Sequence, residues 1–150
     1  MADKQGKGST PEMRNAMYTS PAQRFAQTYS RQATASRVAA ADPHELIAML
    51  FEAVDESLLA AQGALERGDI PAKCAAISKA VRIVEEGLRA ALDPKGGELT
   101  DNLDALYDYC VRRLTEANLR NDAAMVQEVR GLLAPVAEAW NQIRTNGAKG

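Results

Sequence analysis

The chain has 150 residues and a formal net charge of −2, from 18 basic and 20 acidic residues. This length predicts one domain, and the even charge balance argues against nucleic acid as the main partner, since phosphate binding needs a strongly basic face. A polar N-terminus and the lack of any apolar run near the roughly 20 residues of a membrane span predict a cytoplasmic protein without membrane insertion.

The N-terminal part divides into two segments by composition. Residues 1–16 are rich in Lys, Gly, Ser and Asp and are predicted to be a disordered extension. Residues 17–41 contain few large aliphatic residues and are predicted to form an arm, with a short helix from Ala22 to about Arg37. Three of the chain's seven aromatic residues other than histidine lie in this arm and suit an anchoring role, namely Tyr18, Phe25 and Tyr29.

The first long helix is predicted to begin after Asp42, whose carboxylate can accept from free helix amides, with Pro43 at the first helical position. Glu45 stands three residues after the cap and completes a capping-box pattern. Gly68 suits the end of this helix. The apolar residues at helical spacing are Leu46, Ile47, Leu50, Phe51, Val54, Leu58, Ala61 and Leu65.

Three further helices follow. The second is predicted from a cap at Asp69 to about Leu92, where the segment 93–97 (Asp-Pro-Lys-Gly-Gly) breaks it, and the third ends near 121–122. The predicted inward residues of the second helix are Ile77, Val81, Val84, Leu88 and Leu92. Those of the third are Leu99, Leu103, Leu106, Cys110, Leu114 and Ala117. The fourth carries a narrow seam of Met125, Val129, Leu132, Val136, Trp140 and Ile143.

Four helices of about 20 residues joined by short loops favour an all-α fold, an antiparallel up-down four-helix bundle over residues 42–146. The N-terminal arm or short helix accompanies this bundle. Pro135 lies inside the fourth helix, where it cannot donate a backbone hydrogen bond and crowds the carbonyl of Gly131. We therefore expect a kink at this position.

No catalytic or metal site can be assembled from the sequence, and we expect neither enzyme activity nor a cofactor. The single histidine, His44, is interpreted as a surface residue at a helix start, whereas a di-iron centre in a bundle needs two Glu-x-x-His motifs. The glycines 96–97 follow a helix and not a strand, so they do not form a phosphate-binding loop. Cys74 and Cys110 form no C-x-x-C pair and are interpreted as small buried residues.

A second apolar stripe runs along the second helix, about 100° from its inward residues. Small side chains allow another backbone to approach closely, so the stripe can be a groove for a client helix docked through i, i+3 and i+4 anchors. The alternative is that this helix packs diagonally inside the bundle and buries both faces. The stripe consists of Ala76, Ala80, Ile83, Gly87 and Ala90.

A series of short segments carries a family resemblance. The third helix contains Leu-Tyr-Asp-Tyr-Cys-Val-Arg-Arg-Leu at 106–114, continued by Ala117-Asn118 and Asn121-Asp122. Each segment alone is weak, but their order and the Tyr-x-Tyr with Trp140 make a strong match from Met17 to about Ile143. The chain resembles the flagellar export chaperone family, FliS. The other matching segments are 42–52, Gly68-Asp69, 78–84, 96–98 and 137–140.

The resemblance implies a cytoplasmic chaperone that binds the disordered C-terminal segment of flagellin. It would prevent premature polymerisation and keep flagellin competent for delivery to the flagellar type III export apparatus. The implied partners are flagellin and components of the export gate, and a homodimer is a further expectation. In the family, an N-terminal tyrosine segment is associated with groove capping and client contact, and it corresponds to Tyr29 here, or to Phe25 one turn earlier.

The stripe and the resemblance together define a set of candidate client contacts. Tyr109 and Leu119 lie outside the core stripe of the third helix, so we expect Tyr109 to be partly exposed and Leu119 to point outward. The alternative function is a helical adaptor or regulatory protein whose groove binds another amphipathic helix or a second copy of the chain. The candidate contacts are Tyr29, Ala76, Ala80, Ile83, Gly87, Ala90, Tyr109, Arg113 and Leu119.

Overall fold

A computed structural model describes Pro21 and residues 42–149, with side chains described up to residue 143. The predicted extension, the helix expected from Ala22 to about Arg37, and the aromatic anchors Tyr18, Phe25 and Tyr29 lie outside the described residues. The division of the chain into 1–16, 17–41 and 42–146 therefore stays a prediction.

The described part contains four helices and no strand, which confirms the all-α prediction. Helix α1 spans Pro43–Arg67, α2 spans Ile70–Arg82, α3 spans Gly97–Arg120 and α4 spans Ala123–Lys149. A π-helical segment, Ile83–Arg89, continues directly from α2. None of the helices in this part of the chain is long and apolar enough to cross a membrane.

The four helices form a ring in which α1 packs against α2 and α4, and α3 packs against α2 and α4. Contacts along α1 and α4 run in opposite directions: His44 meets Trp140, whereas Gln62, nearer the other end of α1, meets Gln127. The contacts between the α2 region and α3 run in opposite directions too. The helices therefore alternate in direction, as the short loops require.

The predicted helix ends are confirmed where a capping residue marks them. The Asp42 carboxylate accepts from the Glu45 amide at 2.7 Å, and the Asp69 carboxylate accepts from the Ala72 amide at 3.1 Å. Gly68 ends α1 in the left-handed conformation at φ 70°, which glycine adopts without a steric penalty. These local contacts set the boundaries of α1 and the start of α2.

The core lies between the inward faces of all four helices, and most of the predicted inward residues belong to it or pack against it. Three predictions need correction. Leu99 and Ile143, near the helix ends, are 67% and 59% exposed, because they lie beyond the part of the bundle where all four helices overlap. Val126 and Leu133 are buried in α4 although they were not assigned to its seam. Burial on α4 is therefore a broad face and not a narrow seam.

The sequence predicted that the second helix runs to about Leu92, and the structure differs. The α-helical part of this helix ends at Arg82, and the following seven residues form the π-helical segment. By contrast, α4 is helical on both sides of Pro135. The kink expected at that residue stays a prediction.

Candidate functional site

The stripe predicted on the second helix is largely buried. Ala80 and Ile83 are 0% exposed and Gly87 is buried, because the π-helical segment packs against both α1 and α3. Ala76 is half-buried against the core, and Ala90 is exposed. The prediction of a continuous exposed groove is therefore wrong for its three central residues, which follow the alternative of burial on both faces. Their role in client binding stays a prediction.

Tyr109 is half-buried, consistent with the expected partial exposure, and it meets Arg113 on the side of α3 that faces α4. The Tyr109 hydroxyl donates to Glu128 Oε2 at 2.5 Å, and Arg113 Nε donates to Glu128 Oε1 at 2.9 Å. The guanidinium of Arg113 also lies 5.9 Å from the centre of the Tyr109 ring. Glu128 of α4 thus binds polar atoms of both predicted contact residues.

The Glu128 cluster, formed by Tyr109, Arg113 and Glu128, changes the pKa of its members. The hydrogen bond from Tyr109, followed by that from Arg113, lowers the pKa of the Glu128 carboxyl. The same bond to Glu128 raises the pKa of the Tyr109 hydroxyl. Glu128 was not predicted as a site residue, because no periodic signal within α4 shows which residues of α3 it faces.

Leu119 points outward as predicted and is 83% exposed, more than any other large apolar side chain in the described part of the chain. Its neighbour in sequence, Asn118, lines a groove of about 350 Å³ between α2 and α3. Tyr29, the remaining predicted contact, lies outside the described residues. The groove is lined by Ile77, Ser78, Val81, Arg82, Thr115 and Asn118.

Lys73 closes one end of the contact between α2 and α3. Its side chain is only 2% exposed, and Nζ donates to both the backbone carbonyl and the side-chain oxygen of Asn118, each at 2.7 Å. Asn118 lies in the last turn of α3, where backbone carbonyls lack helical partners and favour a cation. The burial of Lys73 could be predicted from the sequence, because Lys73 lies one helical turn before the inward residue Ile77 and so on the same face.

A second groove, of about 300 Å³, lies between α1 and α4. Its floor is apolar, and at its edge Arg130 Nε donates to Asp55 Oδ1 at 2.8 Å. This groove leaves no pattern in the sequence, because it depends on how two helices distant in sequence pack together. The lining residues are Ala48, Phe51, Glu52, Val54, Asp55, Leu58, Arg130, Leu133, Ala134, Ala137 and Asn141.

His44 does not behave as the solvated surface residue that was predicted. It is half-buried, and its ring lies 4.0 Å from the ring of Trp140, centre to centre.

Burial raises the pKa of the Cys110 thiol to about 11, which keeps it protonated and unreactive. Cys74 is half-buried, not fully buried as expected. No group of three potential metal ligands occurs among the described side chains.

The described helices form a bundle with one groove between α1 and α4 and another between α2 and α3. A family model described as "Flagellar protein FliS" matches residues 25–147. The flagellar secretion chaperone FliS of Salmonella typhimurium is 51% identical over 118 residues, covering 78% of this chain and 87% of that protein. The corresponding FliSB of Pseudomonas aeruginosa is 45% identical over 116 residues, covering 77% and 91%.

A more distant relative, the flagellar secretion chaperone FliS of Bacillus subtilis, is 36% identical over 102 residues, covering 68% of this chain and 75% of that protein. The chain belongs to the FliS family. FliS is a family of chaperones and not of enzymes, which confirms the expectation that this protein has no catalytic activity.

Proposed function

We propose that this protein is a cytoplasmic export chaperone for flagellin. It binds the disordered C-terminal segment of flagellin, prevents its premature polymerisation and keeps it competent for the flagellar type III export apparatus. The observation that carries this proposal is the family match over residues 25–147, which includes nearly all of the described bundle. The relatives' name, flagellar secretion chaperone, supports the export role.

The bundle provides a physical route for this activity. A disordered segment that folds into helices on the chaperone hides the apolar surface through which it would otherwise join other subunits. Ordering such a segment costs about 2–5 kcal/mol of the gross interaction energy, so the complex can be specific and still dissociate at the export gate. Export-gate components are accordingly the second class of partner.

We place the client in the two interhelical grooves. The groove between α1 and α4 offers an apolar floor, including Phe51 and Leu133, beside polar groups at its edge. The groove between α2 and α3 offers Ile77 and Val81 beside polar residues such as Thr115. An amphipathic helix could place its apolar face against such a groove and keep its polar face in water.

The predicted contact residues contribute unequally to this arrangement. Leu119 and Ala90 are exposed and Ala76 is half-buried, so these residues are accessible to a client. Tyr109 and Arg113 offer the ring and the aliphatic stem beside their bonds to Glu128. Contact with Ala80, Ile83 or Gly87 requires the covering groups to move aside, and the contact of Tyr29 is part of the same proposal.

Calorimetric titration of the full chain with a peptide of the flagellin C-terminal segment from the same source tests the proposal. Ala134→Asp adds a carboxylate to the groove between α1 and α4, and we expect it to weaken binding at least tenfold. Ala139→Asp is the matched control, because Ala139 is exposed on the same helix but does not line the groove. We expect this control to bind like the parent chain.

The outcomes separate the function from its location. If the parent chain does not bind the peptide, the proposed function is wrong. If both variants bind normally, flagellin binding stands and the groove between α1 and α4 is not its site. Ser78→Asp tests the second groove in the same way, with Ala75→Asp as its control, because both residues are exposed on α2 but only Ser78 lines the groove. Light scattering of the free chain and the complex distinguishes client binding from self-association.

A further inference from the structure

Arg89 occupies a position that an uninterrupted α-helix would not give it. Ala80, which is fully buried, marks the direction of the core on α2. Arg89 follows nine residues later, about two and a half α-helical turns, so a continuous α-helix would place it on the opposite, solvent-facing side. Instead its side chain is 27% exposed, and its Nε donates to Asp104 of α3 at 2.7 Å.

The π-helical segment Ile83–Arg89 accounts for this position. Its i to i+5 hydrogen bonds accommodate one extra residue, which rotates the following residues by about 100° relative to an α-helix. The rotation brings Leu88 to the core, where it is 2% exposed, and turns Arg89 towards α3. Arg89 then bonds Glu85 at 3.0 Å within the segment and Asp108 at 3.4 Å on α3.

The sequence also contains the residue that the α-helical register would place inward. Ala91 follows Ala80 by eleven residues, about three full turns, and would face the core in a continuous α-helix. In the structure it is exposed and lies in the turn that follows the π-helical segment. Apart from Gly87, residues 85–91 are strong α-helix formers, so local preference favours the register that the structure does not adopt.

We propose that the segment Ile83–Arg89 is a two-register element and that Arg89 is the latch that holds its π-helical register. Release of Arg89 from α3 allows the segment to become α-helical, which withdraws Leu88 from the core and brings Ala91 inward. Asp104 and Asp108 are 48% and 43% exposed, so a cationic group of a partner can compete for them and release the latch. The two registers do not depend on which protein the chain binds.

Thiol labelling of the folded full chain can report the register. The reporter is Ala91→Cys in a Cys74→Ser background, because the introduced thiol is exposed in the π-helical register and buried in the α-helical one. Cys110 can remain, since it is 0% exposed and its raised pKa makes it slow to react. Arg89→Ala is then added to release the latch.

The labelling rate at position 91 should fall at least fivefold when Arg89→Ala is added. It should fall further in Leu88→Ala/Arg89→Ala, because the π-helical register then places only an alanine in the core and loses its advantage over the α-helical one. Arg112→Ala is the matched control, since Arg112 also bonds Asp108 at 3.0 Å but lies on α3 itself and is 68% exposed. We expect this control to leave the labelling rate unchanged.

Three results would overturn the proposal. In the first, the thiol at position 91 reacts equally fast with and without Arg89, including in the double variant. In the second, Arg112→Ala protects it as strongly as Arg89→Ala does. In the third, Arg89→Ala loses helical circular dichroism and cooperative unfolding, because release of the latch should leave a folded, fully α-helical bundle.

Discussion

The side chains of His44 and Trp140 each reach the backbone carbonyl of the other residue, although 96 positions separate the two in sequence. The Trp140 indole Nε1 donates to the His44 carbonyl at 3.0 Å, and His44 Nε2 lies 3.2 Å from the Trp140 carbonyl, to which it can donate. The two rings also pack against each other, at an angle of 55° between their planes. This reciprocal contact fastens the start of α1 to the C-terminal half of α4.

Trp140→Phe tests the hydrogen-bonded part of this contact. The substitution keeps an aromatic ring against His44 but removes the indole N–H, leaving the His44 carbonyl without that donor. We expect the free energy of unfolding to fall by about 1 kcal/mol, measured by urea denaturation. Trp140→Ala, which removes the ring as well, should cost more. Equal stability of Trp140→Phe and the parent chain would show that the bond contributes nothing.

Ile83→Asp tests whether the second stripe is part of the core. Because Ile83 is 0% exposed, the substitution buries a carboxylate and should lower the free energy of unfolding by several kcal/mol. Leu119→Asp is the control at a predicted contact residue that is 83% exposed, and it should change stability by no more than about 0.5 kcal/mol. Similar melts for the two variants would place Ile83 at the surface and contradict its position here.

Lys73→Met tests the cap that the buried lysine provides for α3. Methionine fills a similar volume but cannot donate to Asn118, so we expect a loss of about 1–3 kcal/mol in unfolding free energy. Lys95→Met, in the exposed loop before α3, removes the same charge without breaking such a contact and should be nearly neutral. A neutral Lys73→Met would mean that the two hydrogen bonds only offset the cost of burying the ammonium.

The Glu128 cluster should make stability depend on acid pH. Folding lowers the pKa of Glu128. The ionised carboxylate therefore contributes fully to the free energy of unfolding above the unfolded pKa of about 4.3, and this contribution is lost as the pH falls through the folded pKa. Glu128→Gln should therefore be less stable than the parent at pH 7, and the difference should shrink below about pH 4.

Urea denaturation across this pH range measures the effect. Tyr109→Phe supplies a second measurement, because removing the main hydrogen bond should raise the pKa of Glu128 in an NMR titration. A difference between Glu128→Gln and the parent that stays constant from pH 3 to pH 7 would contradict the assignment, as would a Glu128 pKa unchanged by Tyr109→Phe.

The sequence by itself determined the helices wherever their signals are local. Asp42, Gly68 and Asp69 mark helix ends because a cap satisfies backbone groups of its own helix. The apolar residues of α1 identify its buried face because 3.6-residue periodicity holds throughout that helix. Family membership was also accessible at this level, because it rests on the order of short segments.

Only the tertiary structure decided the register after Arg82, the hydrogen bonds of Lys73 and the pairing of His44 with Trp140. Each depends on groups from another helix. The register depends on carboxylates of α3, Lys73 on the last turn of α3, and His44 on the C-terminal half of α4. The stripe from Ala76 to Ala90 is continuous only if the whole segment is α-helical. Its central residues lie in the core because this region of the chain packs against both α1 and α3. A 3.6-residue periodicity shows which side chains share a helix face, but not how many neighbouring helices cover that helix.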